Sequence, residues 1–314
     1  MTERIEHINA DRLFTGAITE KLRAAFGAET EIDGKCIVID CEDNLSLSRM
    51  LSAVRALLKF SETEDIDGRT TDYIIYLSKT GHLDEFINSK DEIIYTTPSG
   101  RPIKAKTLGQ KVYTDALKRS ELVICSGPAG SGKTFLGVSM AVKAFRNREV
   151  SRIILTRPAV EAGERLGFLP GDIEEKVNPY MRPIYDALGT LLGQELFERY
   201  YEKGLIEVSP LAFMRGRNLD DAFVLLDEAQ NTTTEQMKMF LTRLGLNCKA
   251  CVCGDFTQID LPRGTKSGLF DCMQILDGTP GISIVSLKNA DIVRNPLVQR
   301  IVEAYDRHAD EVER

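Results

Sequence analysis

The stretch Gly127-Pro128-Ala129-Gly130-Ser131-Gly132-Lys133-Thr134 decides how this chain reads. It fits the pattern G-x-x-x-x-G-K-[ST] in full, follows the apolar run ELVICS and opens the helical segment KTFLGVSMAVKAF. Glycines let successive backbone N–H groups turn inward as a nest for an anion, and the following helix adds the positive end of its dipole. Residues 127–134 are therefore expected to cradle phosphate. Lys133 is expected to reach the β- and γ-phosphates of a nucleoside triphosphate, and Thr134 to ligate Mg2+.

Two further polar signals each come directly after an apolar run. Phe223-Val224-Leu225-Leu226 ends in Asp227-Glu228-Ala229-Gln230, a buried strand delivering two carboxylates at its C-terminal edge. Asp227 is the expected Mg2+ holder, and Glu228 the expected base or positioner of an attacking water. Cys253-Gly254-Asp255-Phe256-Thr257-Gln258 follows another such run, so the Gln258 amide is expected to reach the γ-phosphate or orient water. A capping turn led by Asp255 is the alternative reading of that stretch.

Outward from these signals, short strand-like runs at 153–156, 206–209, 223–226, 250–253 and 282–287 alternate with helical segments. That alternation predicts an α/β fold with a mostly parallel sheet covered on both faces. Cys248, Cys251 and Cys253 sit too close together to ignore, yet no histidine lies near them in sequence. They read as small apolar residues of a buried strand rather than as a metal site.

Residues 1–90 read as a small acidic α/β accessory domain, 91–106 as a hairpin linker turning at Pro98-Ser99-Gly100, and 107–314 as the main domain. Ile18, Leu22 and Phe26 share a helical face, and Asp33-Gly34 signals a hairpin whose second strand is Cys36 to Asp40. Leu47, Met50, Leu51, Val54 and Leu58 mark a second helix, and a third is expected around Tyr73–Ser78 with Thr71 or Asp72 as its cap. An α-β-β-α order is similar to RNA-binding KH-type modules, but residues 1–110 hold no G-x-x-G loop to clamp a nucleic-acid backbone.

The chain's 314 residues suggest about two domains. No run approaches the roughly 18 apolar residues of a membrane span, and the start MTERIEHINADRL has no apolar signal region, so a cytoplasmic protein is expected. The net charge of −7 is uneven: residues 1–100 hold 11 Lys+Arg against 19 Asp+Glu, a balance of −8, and the remainder sits at +1. A strongly basic nucleic-acid binder is thereby excluded, although a few aligned arginines suffice for phosphate contacts. Seven cysteines with no secretory context are expected to be reduced thiols.

Taken in order, the three signals resemble the RecA-like ATPase core of superfamily 1 helicases. A closer resemblance is to the PhoH family of P-loop ATPases. It is carried by Arg157-Pro-Ala-Val-Glu161-Ala-Gly-Glu164, Leu166-Gly-Phe-Leu-Pro-Gly-Asp172, Glu175-Lys176 and Pro179-Tyr180. Met214-Arg215-Gly-Arg217, Asp227-Glu228-Ala-Gln230-Asn231 and Asp291-Ile-Val-Arg294 complete it, over about Thr107 to Tyr305. Asn295 departs from the family pattern, which has His after Asp-Ile-Val-Arg.

The resemblance implies a RecA-like P-loop core that hydrolyses ATP with Mg2+. It also implies RNA-linked work: RNA remodelling, or cooperation with a ribosomal RNA maturation endoribonuclease. Gln110, 17 residues before Gly127, looks like the glutamine that reads adenine, and Tyr113 either packs near the base or belongs to the core. Arg294 is similar to the arginine that neutralises charge on the transferring phosphoryl group; Arg215 and Arg217 compete for that role. Arg157, Arg165, Arg182, Arg215 and Arg217 are the candidate RNA contacts. The rival reading is a nucleotide-switched scaffold acting on protein partners through the acidic N-terminal domain.

About 60 residues follow Gly254, too few for the second RecA-like domain with which a monomeric superfamily 1 helicase closes its site. The completing arginine is therefore expected from the same core or from a neighbour in a head-to-tail ring, a hexamer.

Overall fold

The computed structural model describes residues 2–14, 16–62, 65–89, 92–158, 173–262 and 264–293, with 297, 298, 301, 304 and 305 beyond them. The chain divides into two compact units, 1–91 and 92–314.

The first unit runs β1 (Thr2–Glu6), α1 (Ala10–Leu13), α2 (Gly16–Phe26), β2 (Glu29–Asp33), β3 (Cys36–Asp40), α3 (Asn44–Ser61), α4 (Gly68–Thr80), α5 (Leu83–Ser89). The Asp33-Gly34 hairpin pairs Asp33 with Cys36, Gly34 taking φ 60°, and β1 joins the other side of β3 to give the order β1-β3-β2. Strand β1 is not expected from the sequence, because TERIE has no buried residue to produce an apolar pattern. The unit therefore begins with a strand rather than as α-β-β-α. Apolar residues of α3 recur at Leu47, Met50, Val54 and Leu58, all buried, and Asp43 caps the helix by accepting from the Ser46 N–H at 2.7 Å. Helix α4 starts earlier than Thr71 or Asp72 would allow. Asp67 is its cap, accepting from the Thr70 N–H at 2.8 Å, and Thr71 is a buried helical residue.

The second unit opens on a hairpin, β4 (Ile93–Thr96) and β5 (Pro102–Lys104). Ile94 and Ile103 are buried in the same core as Val123, Leu136 and Phe223, so the hairpin belongs to this unit's packing. There follow α6 (Leu108–Arg119), β6 (Leu122–Ser126), α7 (Lys133–Arg146), β7 (Arg152–Arg157), α8 (Ile173–Leu192) and α9 (Gln194–Glu202). The chain continues with β8 (Ile206–Pro210), β9 (Ala222–Leu226), α10 (Thr234–Leu241), β10 (Lys249–Gly254), α11 (Gly268–Leu276) and β11 (Ile282–Ser286).

Six strands form one sheet in the order β11-β6-β10-β9-β7-β8, and every neighbouring pair is parallel. The alternation of the strands splits their side chains between two cores. Val123, Cys125, Ile153, Leu155, Phe223, Leu225, Cys251 and Cys253 face one layer of helices; Leu122, Ile124, Ile154, Val224, Leu226 and Val252 face the other. This is the α/β fold expected from the sequence, a parallel sheet covered on both faces. Among the described residues no helix is long and apolar enough to cross a membrane.

Strand β10 lies between β6 and β9. Because all six strands point the same way, the loops after β6, β7, β9 and β10 emerge together at the C-terminal edge, where ligands of open parallel sheets bind.

Candidate functional site

Residues 127–134 connect β6 to α7. Gly130 and Gly132 take φ 82° and 84°, backbone conformations that a side chain would strain. Gly127 is required for another reason: a Cβ there would lie 2.7 Å from the Leu287 Cβ. The loop is held from outside at several points. The Gly127 N–H donates to the Gly254 carbonyl at 3.1 Å, and the Val293 N–H donates to the Gly130 carbonyl at 2.9 Å. The Gln110 amide donates to the Ser131 carbonyl at 3.0 Å, and the Ser131 hydroxyl to the Pro128 carbonyl at 2.7 Å. Ala129 completes the loop. Gly132 precedes α7 without a side-chain cap, so the first-turn N–H groups of that helix keep their capacity to bind an anion.

Lys133 and Thr134 begin α7. The Lys133 ammonium lies on the loop's own carbonyls, donating to Gly127 O at 2.6 Å and Pro128 O at 3.0 Å. The Thr134 hydroxyl donates to Asp227 Oδ1 at 2.7 Å. That one bond joins residues from either side of β10 and brings the loop and the acidic strand end into a single site.

Asp227 is 2% exposed, and its N–H donates to the Thr156 carbonyl of β7 at 2.9 Å. Glu228 next to it has φ 53° and ψ 37°, a left-handed backbone in a non-glycine residue. Its carboxylate accepts from the Gln230 amide at 2.7 Å. Gln230 itself is fully buried; it also donates to the Gln258 carbonyl at 3.0 Å and accepts from the Asp255 N–H at 3.0 Å. It thereby clamps the turn after β9 to the turn after β10. The sequence does not reveal this task of Gln230, since these two partners lie 28 and 25 residues away. Beyond it, Thr233 and Gln236 form a reciprocal capping box that fixes where α10 begins.

The remaining expected residues are placed as follows. Gln258 is exposed, and the turn before it is built by Asp255, whose Oδ1 accepts the Thr257 N–H at 2.9 Å and hydroxyl at 2.7 Å. Gln110 is 4% exposed, with its amide oxygen accepting the Lys106 N–H at 2.7 Å; both ends of the group it would offer a base are bonded to backbone. Tyr113 is a core residue, 0% exposed, with its hydroxyl 2.9 Å from the Cys251 sulfur and 3.2 Å from that of Cys253.

Burial pushes the Tyr113 hydroxyl well above its usual range, and the Cys125 thiol likewise. Cys253 is raised by its bond to Cys251 and by burial. Tyr113, Cys125 and Cys253 are therefore protonated packing beneath α7, and Cys251 and Cys253 lie in the interior of β10. All seven cysteines are free.

Arg157, at the end of β7, is turned into the site and is not a surface contact. It donates to Asp227 Oδ2 from Nε at 2.9 Å and from Nη2 at 2.5 Å. Arg217 makes a two-point bond to Glu207, at 2.6 and 2.7 Å, whereas Arg215 is exposed. Arg182 is also exposed, its side chain 79% accessible. Arg294 and Arg165 lie outside the described residues. The stretch before Arg294 is nonetheless tied to the site. Asp291 is buried against the first turn of α6, where a Cβ on Gly109 would meet its carboxylate at 2.4 Å, and Val293 holds Gly130.

Thr134 and Asp227 together present a hydroxyl and a carboxylate, both hard oxygen donors of the kind Mg2+ takes. With the anion nest, Lys133 and Glu228 around them, the arrangement suits the phosphates of a nucleoside triphosphate.

Residues 102–306 match the family described as PhoH-like protein. The PhoH-like protein of Bacillus subtilis (strain 168) is 52% identical over 259 residues, 82% of this chain and 81% of that protein. The PhoH-like protein of Mycobacterium tuberculosis (strain ATCC 25618 / H37Rv) is 56% identical over 211 residues, 67% of this chain and 60% of its own length. Protein PhoH of Escherichia coli (strain K12) is 47% identical over 206 residues, 65% of this chain and 58% of its own. With its P-loop nucleotide-binding core, this chain belongs to the PhoH-like protein family.

Proposed function

We propose that this protein is a Mg2+-dependent ATPase that converts ATP and water to ADP and phosphate. The observation that carries the reading is the 2.7 Å bond from Thr134 to Asp227, which joins the anion-binding loop to the strand that also delivers Glu228. Lys133 would exchange two neutral carbonyl partners for phosphate oxygens, a stronger, charge-assisted pairing. Thr134 and Asp227 would hold Mg2+, which offsets charge on the phosphates when bound. Glu228, its side chain 40% exposed and steadied by Gln230, would position the attacking water. Lys133→Ala is expected to lose ATP hydrolysis; turnover at the wild-type rate in that variant would sink the proposal.

The work this drives is read as RNA remodelling or ribosomal RNA maturation in the cytoplasm, alongside an endoribonuclease. Exposed Arg182 and Arg215 support an RNA contact. The competing scaffold reading has its own observation. By strand register, one face of the β1-β3-β2 sheet carries Glu6, Glu29, Glu31, Asp33 and Asp40, with Arg4 as its cation. These side chains are exposed and suit a basic protein partner. RNA-stimulated turnover with binding that falls steeply with salt favours the first reading. Neither effect at low salt favours the second.

We also read the assembly as a head-to-tail hexameric ring in which a neighbour's arginine completes the site. Arg215, exposed, is free to serve a second copy, whereas Arg217 is engaged by Glu207. Solution mass with and without Mg2+ and ATP tests this, and a monomer with full turnover would refute it.

A further inference from the structure

Asp227 is the most deeply buried carboxylate of the site, with its side chain 2% exposed. A carboxylate in that position needs a cation or a full set of donors, because removing it from water costs several kcal/mol otherwise. The Thr134 hydroxyl donates to Oδ1, and the cation and the donors to Oδ2 come from Arg157. Its side chain is 12% exposed, and Nε and Nη2 converge on Asp227 Oδ2. Its third arm, Nη1, donates to the Tyr180 carbonyl of α8 at 2.6 Å, which fixes the guanidinium in this pose. Nη2 also stands 3.9 Å from Glu228 Oε1. One arginine thus spans the expected metal holder, the expected water positioner and a helix.

We propose that Arg157 is a latch on the metal position: it occupies Asp227 when no ion is bound and has to withdraw before Mg2+ can enter. The inference rests on the Mg2+–ATP reading. A divalent ion at Thr134 and Asp227 would bring its charge onto the carboxylate whose Oδ2 Arg157 now grips. Two cations a few ångströms apart in a shielded site repel strongly, so they are alternatives and not neighbours. The Thr134 hydroxyl keeps its lone pairs while donating to Asp227, so the latch blocks only the Asp227 side of the position. Metal affinity is then reduced by the fraction of molecules in which the latch is open. Arg157 is a positioning residue in this scheme: it acts through Asp227.

The sign of the effect separates a latch from ordinary structural support. Mn2+ in place of Mg2+ permits a spectroscopic titration, with ADP present, of wild type, Arg157→Gln and Arg157→Lys. The latch predicts that Arg157→Gln takes up Mn2+ on the order of tenfold more tightly than wild type, as expected when about nine molecules in ten are latched. Arg157→Lys keeps the charge but loses the fork that grips one carboxylate twice, and should fall between the two. Without metal or nucleotide, Arg157→Gln should melt below wild type, and Mn2+ with ADP should raise its melting temperature by more. A residue that merely props up the site would give weaker Mn2+ binding when removed, so equal or weaker binding in both variants overturns the latch. If Arg157→Gln does not fold, Arg157→Lys alone decides by the same sign. A wild-type protein that takes up neither Mn2+ nor ADP overturns the nucleotide reading and the latch with it.

Discussion

Glu228 is where chemistry and backbone meet at the level of a single residue. Its φ of 53° costs about 1–3 kcal/mol in a non-glycine residue, and neighbours must impose it. Asp227 is pinned to β7 on one side, and on the other Gln230 grips the Glu228 carboxylate. Glu228→Gln preserves shape and still offers Gln230 an acceptor, so the fold and nucleotide binding should be unchanged. Hydrolysis should fall by about 10²–10⁴, the usual weight of a positioned acid–base group. Equal turnover in single-turnover kinetics would remove Glu228 from the mechanism. At this scale the sequence was legible wherever a residue's task is set by its immediate neighbours. Lys133 and Thr134 follow from the glycines before them, and Asp227 and Glu228 from the apolar strand before them. Gln230 and Arg157 were not legible in this way. Each has its decisive partner just after another strand, 25 residues away for Gln230 and 70 for Arg157.

Strands and helices decide which of these side chains meet. The order β6-β10-β9 puts the loop and the carboxylates on strands flanking β10, near enough for Thr134 to touch Asp227. The service of helix α6 to the site was not legible in the sequence. Gln110 bonds the Ser131 carbonyl, and Gly109 accommodates Asp291, so α6 braces the loop.

At the sheet's far edge, Glu207 of β8 is paired with Arg217, whose hydrogen bonds hold the Glu207 carboxyl below its ordinary 4.5. A carboxylate depressed in this way stabilises the fold fully above its unfolded value and loses that contribution as pH falls through its folded value. Wild type should therefore melt above Glu207→Gln at neutral pH, with the gap closing below about pH 4.5. A gap that persists unchanged into acid, measured by thermal denaturation, would show that the pair does not act through ionised Glu207.

For the molecule as a whole, the division into units 1–91 and 92–314 carries its own prediction. All the described phosphate-site residues lie in the second unit, which has its own two-sided core. A fragment of residues 92–314 should fold and bind nucleotide with wild-type affinity by calorimetry. A large loss of affinity would assign the acidic unit a part in the site.

The sequence by itself determined the class of fold and which residues are the candidates for a phosphate site. Strand periodicity, glycine spacing and strand-end carboxylates are local consequences of backbone geometry, and a linear reading can see them. Only the tertiary structure decided who pairs with whom. It made Tyr113 a core residue and Gln110 a brace, and it set Arg157 against Asp227. Those outcomes depend on strand order and on the need of each buried polar group to find a partner wherever packing provides one, a constraint that distance along the chain does not encode.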